Sequence, residues 1–185
     1  IKLILGNIQQ TFPNSTIVPL IFKIDTPKSE IQQVHDILQA QCSNCFIVAS
    51  VDFSHYQPAI LADLHDDLTY RALENRDDDL LLSRAEVDSP PALALLTMWA
   101  NSHNTLRFTR DNHTNSGVLV GNNDIETTTH FYGWYETGEP IEPEKNVTFL
   151  FGGDMMFGRM IAHTFLSKGL QTSLDQLGDR VFWGT

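Results

Sequence analysis

The chain reads as an α/β protein, a layered sheet with flanking helices, followed by the first strand-and-helix unit of a second α/β domain. Three observations predict this. Strand-like and helix-like segments alternate from Ile1 to about Glu136, the pattern of sheet and helix layers around one core. A short apolar run, Phe46 to Ser50, has the character of a strand covered on both faces. A segment with two prolines and three glutamates, Gly138 to Lys145, separates that alternation from a new apolar run at Val147. The implied division is 1–136, a linker at 137–146, and 147–185.

Taken in order, Thr16 to Phe22 is a β-branched, apolar run suited to a buried strand and broken only by Pro19. Thr26 is placed to cap a helix with Pro27 at its first position, and Ile31, Val34 and Leu38 then share one face. That helix should end near Cys42. After the Phe46 strand, a second helix is expected from about Ile60 to Glu74. Leu61, Leu64 and Leu68 would face inward, with Asp63, Asp66 and Asp67 on a solvated face. Asp77 to Ala85 reads as a short helix, and Ser89-Pro90-Pro91 starts another whose Leu93, Leu96 and Trp99 pack inward. Leu106 and Phe108 alternate with polar neighbours, as do Phe131, Gly133 and Tyr135, so both segments read as half-buried strands. The Asn- and Gly-rich strip between them, Asp111 to Asp124, is expected as loop. Beyond the linker, Val147 to Phe151 is a strand, Gly152-Gly153-Asp154 a turn, and Phe157 to Lys168 an amphipathic helix.

Composition narrows the partners. Twelve basic against 23 acidic residues give a formal charge of −11, which repels nucleic-acid phosphates and anionic lipid surfaces. No run reaches the roughly 18 consecutive apolar residues of a membrane span. A hydrophobic content of 42% suffices for a core, so disorder is not expected. The chain opens at Ile1 rather than Met and closes at Thr185 just past Phe182 and Trp183, and is expected to be a fragment of a longer protein. Cys42 and Cys45 form a C-x-x-C that precedes a strand, unlike a thioredoxin motif, and lacks companion zinc ligands. Two reduced thiols are expected there.

The chemistry concentrates in Phe46 to Tyr56, FIVASVDFSHY, which places Asp52 and His55 just past the carboxyl end of a strand, where open α/β sheets bind ligands. An aspartate three residues before a histidine can accept a hydrogen bond from one imidazole nitrogen. This fixes the tautomer, raises basicity and frees the other nitrogen for a proton or a metal. The plainer alternative is that Asp52 caps the next helix and His55 lies on the surface. Among the other histidines, His35 and His65 are expected to face solvent, and His103 to sit at a helix end, where a cation meets the dipole favourably.

The string VASVDFSHY resembles the signature of Memo-like proteins, known as protein B of AmmeMemoRadiSam systems. The Pro90-Pro91 helix start, the Asn115-Ser116-Gly117 loop and a closing strand at His130 to Tyr135 keep that family's order. The resemblance covers residues 1–136 and implies a fold like that of class III extradiol dioxygenases, with Asp52 and His55 in the active cleft. It implies that Ser54, His113 and Ser116 approach the same cleft. It also implies iron or copper held by two histidines and a cysteine, a small-molecule or peptide ligand, and AMMECR1-like and radical SAM partner proteins in the cytoplasm. The sequence departs from the pattern twice. Neither metal histidine lies within these residues, and the cysteine position before the Pro90-Pro91 helix reads Glu86-Val87-Asp88-Ser89. Asp88 offers a hard oxygen in place of the soft sulfur.

The run Gly153-Asp154-Met155-Met156-Phe157-Gly158-Arg159 resembles the opening of CapA-like domains, metallophosphatase-type proteins that often work at the cell envelope. The resemblance implies that Asp154 binds a metal and that Arg159 faces the site or an anion. On the plainer alternative Asp154 caps a helix and Arg159 joins a surface pair. Non-catalytic binding by a degenerate module is the competing reading for the whole chain, with Val87 in place of the metal cysteine.

Overall fold

The structure, a computed structural model, describes residues 2–42, 44–122 and 126–140. The expectations for Val147 to Lys168, including Asp154 and Arg159, lie outside the described residues. Mixed α/β architecture is present, built on a small antiparallel sheet rather than a broad parallel one. Its elements run α1 (Lys2–Thr11), α2 (Lys28–Gln41), β1 (His55–Gln57), α3 (Ala59–Asn75), α4 (Asp78–Arg84), α5 (Pro90–Ser102), β2 (Arg107–Asn115), α6 (Ser116–Val120) and β3 (Thr127–Glu136). Among the described residues three strands lie in the order β1-β3-β2, both pairs antiparallel. Among the described residues no helix is long and apolar enough to cross a membrane.

Helix α5 is the centre of the packing. Pro90 and Pro91 sit at its start, where a missing N–H leaves no bond unmade. Apolar residues on nearly all sides then let it touch α4 on one flank and α2 on the other. Ile31 of α2 packs against Ala94, Leu95 and Met98, forming one cluster. A second cluster joins Phe53, Leu73, Leu81, Val87, Leu93, Phe108 and Phe131, with the Phe53 and Phe131 rings stacked 3.7 Å apart.

Several expectations change under these contacts. Thr16 to Phe22 and Phe46 to Ser50 form no strand. Ile47, Ala49 and Val51 pack inward, whereas Phe46 and Val48 are 84% and 53% exposed. Apolar character alone does not make a strand, which needs a ladder partner, and no described residue supplies one. Thr26 does not cap α2: its hydroxyl donates to the Lys23 carbonyl, and Pro27 itself takes the cap position. The short helix expected at Asp77 to Ala85 forms as α4, and Asp77 caps it, accepting from the Leu80 N–H. The expected loop after Asp111 is partly ordered, because β2 continues to Asn115 and Asn115 caps α6 through the Val118 N–H.

The inward face of α3 is rotated from the expected one. Ala59, Ala62, Asp66, Thr69 and Leu73 are buried at alternating spacings of three and four, while Leu64 is exposed. Small residues on that stripe bring the helix close to the sheet, leaving Leu64 outside and Leu61 and Leu68 half-buried. His35 and His65 are also interior rather than solvent-facing. His35 meets Ser102, Asp36 and the edge of Trp99, and His65 pairs with Glu86. His103 does end α5, stacked on Trp99. Cys42 and Cys45 are joined in a disulfide rather than reduced, which closes the turn after α2.

Candidate functional site

The chain leading into β1 is anchored before it delivers its polar side chains. Asp52 and Asp88 clamp each other: the Asp52 N–H donates to Asp88 Oδ1 at 3.0 Å, and the Asp88 N–H donates to the Asp52 carbonyl at 3.0 Å. Phe53 fills the core, and Ser54 bonds across to Thr129. At Tyr56 the backbone turns left-handed with φ of 54°, and two β1 residues span one step of β3, as in a β-bulge. Bulges bend a strand and re-aim the neighbouring side chains, here beside His55.

Strand alternation then divides the polar residues between the two sheet faces. On the outer face lie His55, opposite Thr128, and His130, two residues further along β3. The Asp52 carboxylate stands between the two imidazoles. His55 Nε2 is 4.0 Å from Oδ2, and His130 Nδ1 is 3.8 Å from Oδ1. The Asp52 side chain is 57% exposed and that of His55 23%. Asp52 and His55 therefore lie near one another, but at 4.0 Å they do not share the hydrogen bond expected from the sequence. His130 is the member that sequence reasoning missed. Its signal was the period-2 pattern of the closing strand, which puts His130 opposite to Phe131.

On the inner face lies a second polar cluster. The carboxylate of Asp66 is fully buried, accepts from the Ser54 N–H at 3.2 Å and from the Ser54 hydroxyl at 2.8 Å, and holds His113 Nε2 at 2.7 Å. Asp63 lies 3.9 Å from the same imidazole nitrogen. Asp66 is thus no part of a solvated face. Burying a carboxylate is unfavourable unless its lone pairs are filled, and three donors fill them here.

The remaining candidates take structural positions. Ser54 is buried against Asp66 on the face opposite His55, so it does not line a cleft with it. His113, half-buried, belongs to the same inner cluster. The Ser116 hydroxyl accepts the Thr128 N–H at 3.0 Å and ties α6 to β3. Gly117 is required beside it, because a Cβ there would stand 2.8 Å from both the Asn122 carbonyl and Thr127. Val87 is in the core and carries no donor atom, and Asp88 is exposed, facing the Asp52 backbone. An open apolar depression lies beside α3, lined by Pro58, Ile60, Leu61, Asp63, Leu64 and Asp67. Neither Asp52, His55 nor His130 lines it.

One further arrangement has the order of a nucleophile, base and orienting acid. The Ser102 hydroxyl is 2.7 Å from His35 Nε2, and His35 Nδ1 is 3.1 Å from Asp36, whose carboxyl is held below its usual range by hydrogen bonds from Gln32 and His35. Ser102 sits at the carboxyl end of α5 and also meets the Met98 carbonyl. Acyl transfer needs N–H groups aimed at a developing oxyanion, and a helix end that presents carbonyls does the opposite. The network ties α5 to α2.

Compared with family models, curated proteins and solved structures, the chain matches none.

Proposed function

We propose that residues 1–136 are the C-terminal part of a Memo-like enzyme domain of the AmmeMemoRadiSam protein B kind, joined through 137–146 to the start of a CapA-like domain. In this reading His55 exchanges a proton with a bound small molecule, and the Asp52 carboxylate, 4.0 Å away, stabilises the imidazole when it is charged. One observation carries the reading: the Asp52 carboxylate is bracketed by His55 and His130 on the exposed sheet face, with its backbone pinned by Asp88. Holding the Asp52 main chain in place keeps its carboxylate near both imidazoles, as a proton-transfer site needs.

The iron or copper implied by the resemblance does not fit the residues present. The position of the metal cysteine is the core residue Val87, and Asp88 already accepts a hydrogen bond from Asp52. No step is routed through that metal. The same substitution favours a second reading, a binding module that kept the outer-face cluster without the redox chemistry.

Screening small carbonyl and carboxylate compounds for binding to the chain, and to its Asp52→Ala and His55→Ala variants, tests the site. Ligands should bind the parent and be lost from both variants, with circular dichroism showing the fold retained. Undiminished binding in both variants retires the assignment. A His55→Gln variant that binds a ligand but no longer converts it separates an enzyme from a binding module.

A further inference from the structure

The stretch from Cys45 to Asp52 has the side-chain pattern of a strand without the ladder of one. Inward and outward residues alternate at every step, with Ile47, Ala49 and Val51 packed against the two core clusters and Phe46 and Val48 exposed. Among the described residues no hydrogen bond reaches the main chain of Phe46 to Val51, and pairing with β3 begins only at Phe53, whose N–H donates to the Thr129 carbonyl. We propose that Phe46 to Val51 is an open sheet edge that binds an extended segment of a separate polypeptide as an added strand, apolar at alternate positions and basic at the end beside Asp52. Such binding uses the main chain upstream of Asp52, and so goes beyond the proton-transfer reading without resting on it.

Main-chain chemistry names the class of partner. Each residue of the run Phe-Ile-Val-Ala-Ser-Val carries both an N–H and a carbonyl, and a periodic row of such groups is matched by another polypeptide main chain rather than by a small molecule. Ile47, Ala49 and Val51 already pin the segment to the core, so little ordering remains when a strand arrives. Phe46 and Val48, exposed on one side, supply the cross-strand contact for apolar side chains of the partner. Charge sets the end of the row. The Asp52 side chain, 57% exposed, and the exposed Asp88 stand together there, which favours a lysine or arginine opposite them. A second copy would bring the same two carboxylates and a formal charge of −11, which opposes self-pairing. Thr16 to Phe22 also lacks a ladder, but its exposure does not alternate and Pro19 has no N–H, so it offers no comparable row.

The probes are two synthetic peptides of alternating valine and threonine, with a pair of lysines at the amino end of one and at the carboxyl end of the other. Binding to the full chain is followed by calorimetry, and amide hydrogen exchange across Phe46 to Val51 by mass spectrometry. One of the two peptides should bind at one equivalent and slow that exchange. Methylating its main-chain nitrogens at alternate residues, which removes donors and keeps the side chains, should weaken binding by about tenfold or more, and glutamates in place of the lysines should weaken it too. Phe46→Ser and Val48→Ser, both at exposed positions and checked for fold by circular dichroism, should each weaken it, whereas Val118→Ser, exposed on α6, should not. No saturable binding, equal binding of the methylated peptide, or an equal loss in Val118→Ser overturns the added strand and leaves non-specific apolar contact. Slow exchange across Phe46 to Val51 before any peptide is added overturns the separate partner, and sedimentation then tells a second copy from this chain covering its own edge. None of these variants alters Asp52 or His55, so small-molecule binding at that pair succeeds or fails independently.

Discussion

Replacing Asp66 with alanine tests the least expected feature of the fold. Its carboxylate is fully buried and serves three donors: the Ser54 N–H, the Ser54 hydroxyl and His113 Nε2. Ser54 is itself fully buried, so two of those donors have no route to water once the carboxylate is gone. Removing one member of a buried ion pair typically costs about 3–5 kcal/mol. The His113 side chain keeps 22% of its surface, so water can recover part of that bond, and the lower end of the range is expected, about 3 kcal/mol. That is a large part of the roughly 5–15 kcal/mol that holds an ordinary domain together. The comparison is Asp67→Ala one residue on, where the side chain is 59% exposed and 4.0 Å from Arg110. Such a surface pair contributes about 0–1 kcal/mol and is screened by salt. Urea unfolding at pH 7, followed by far-ultraviolet circular dichroism at low and high sodium chloride, measures both. The Asp66→Ala loss should persist in high salt, and a double-mutant cycle with His113→Ala should show strong coupling. A loss below about 1 kcal/mol, or one equal to that of Asp67→Ala, refutes the argument that Asp66 is an interior anchor.

Three further outcomes follow from other parts of the structure. A Cβ on Gly133 would press into the Phe108 ring, so Gly133→Ala should destabilise by about 1–3 kcal/mol in the same assay, and a Phe108→Leu background should relieve part of it. The Tyr135 hydroxyl donates to the Leu73 carbonyl at 2.6 Å, near the end of α3, and burial pushes its phenol up. Tyr135→Phe should lower stability by about 1 kcal/mol, measured by denaturant midpoint. The Asp36 carboxyl is held low by the Gln32 amide and then by His35, so the folded form favours the charged state. Its contribution is present above the unfolded value of about 4 and is lost as pH falls through the folded one, so Asp36→Asn and the parent should differ at pH 6 and converge under strong acid.

How much of this was legible depends on whether a feature was local. The short helix α4, the double-proline start of α5 and the closing strand β3 all arise from a few adjacent residues, and each appears in the fold. The meeting of Asp52 with His55 was legible for the same reason, since three residues of separation already bring them near. The strands expected at Thr16 to Phe22 and Phe46 to Ser50 failed because the same apolar pattern suits any half-covered extended segment. Periodicity also could not choose the inward face of α3, where leucines and small residues offered two competing stripes.

By itself, then, the sequence determined the mixed α/β character, most helix positions and the nearness of Asp52 to His55, because propensity, capping and short spacing act within a few residues. Only the tertiary structure decided that the sheet is antiparallel, that Asp66 is interior, that Cys42 and Cys45 are bonded and that His130 joins Asp52. Except for the disulfide, these depend on groups far apart in the chain. Asp66 is tolerable inside only because Ser54 and His113 arrive from two other elements, and no local pattern encodes that meeting.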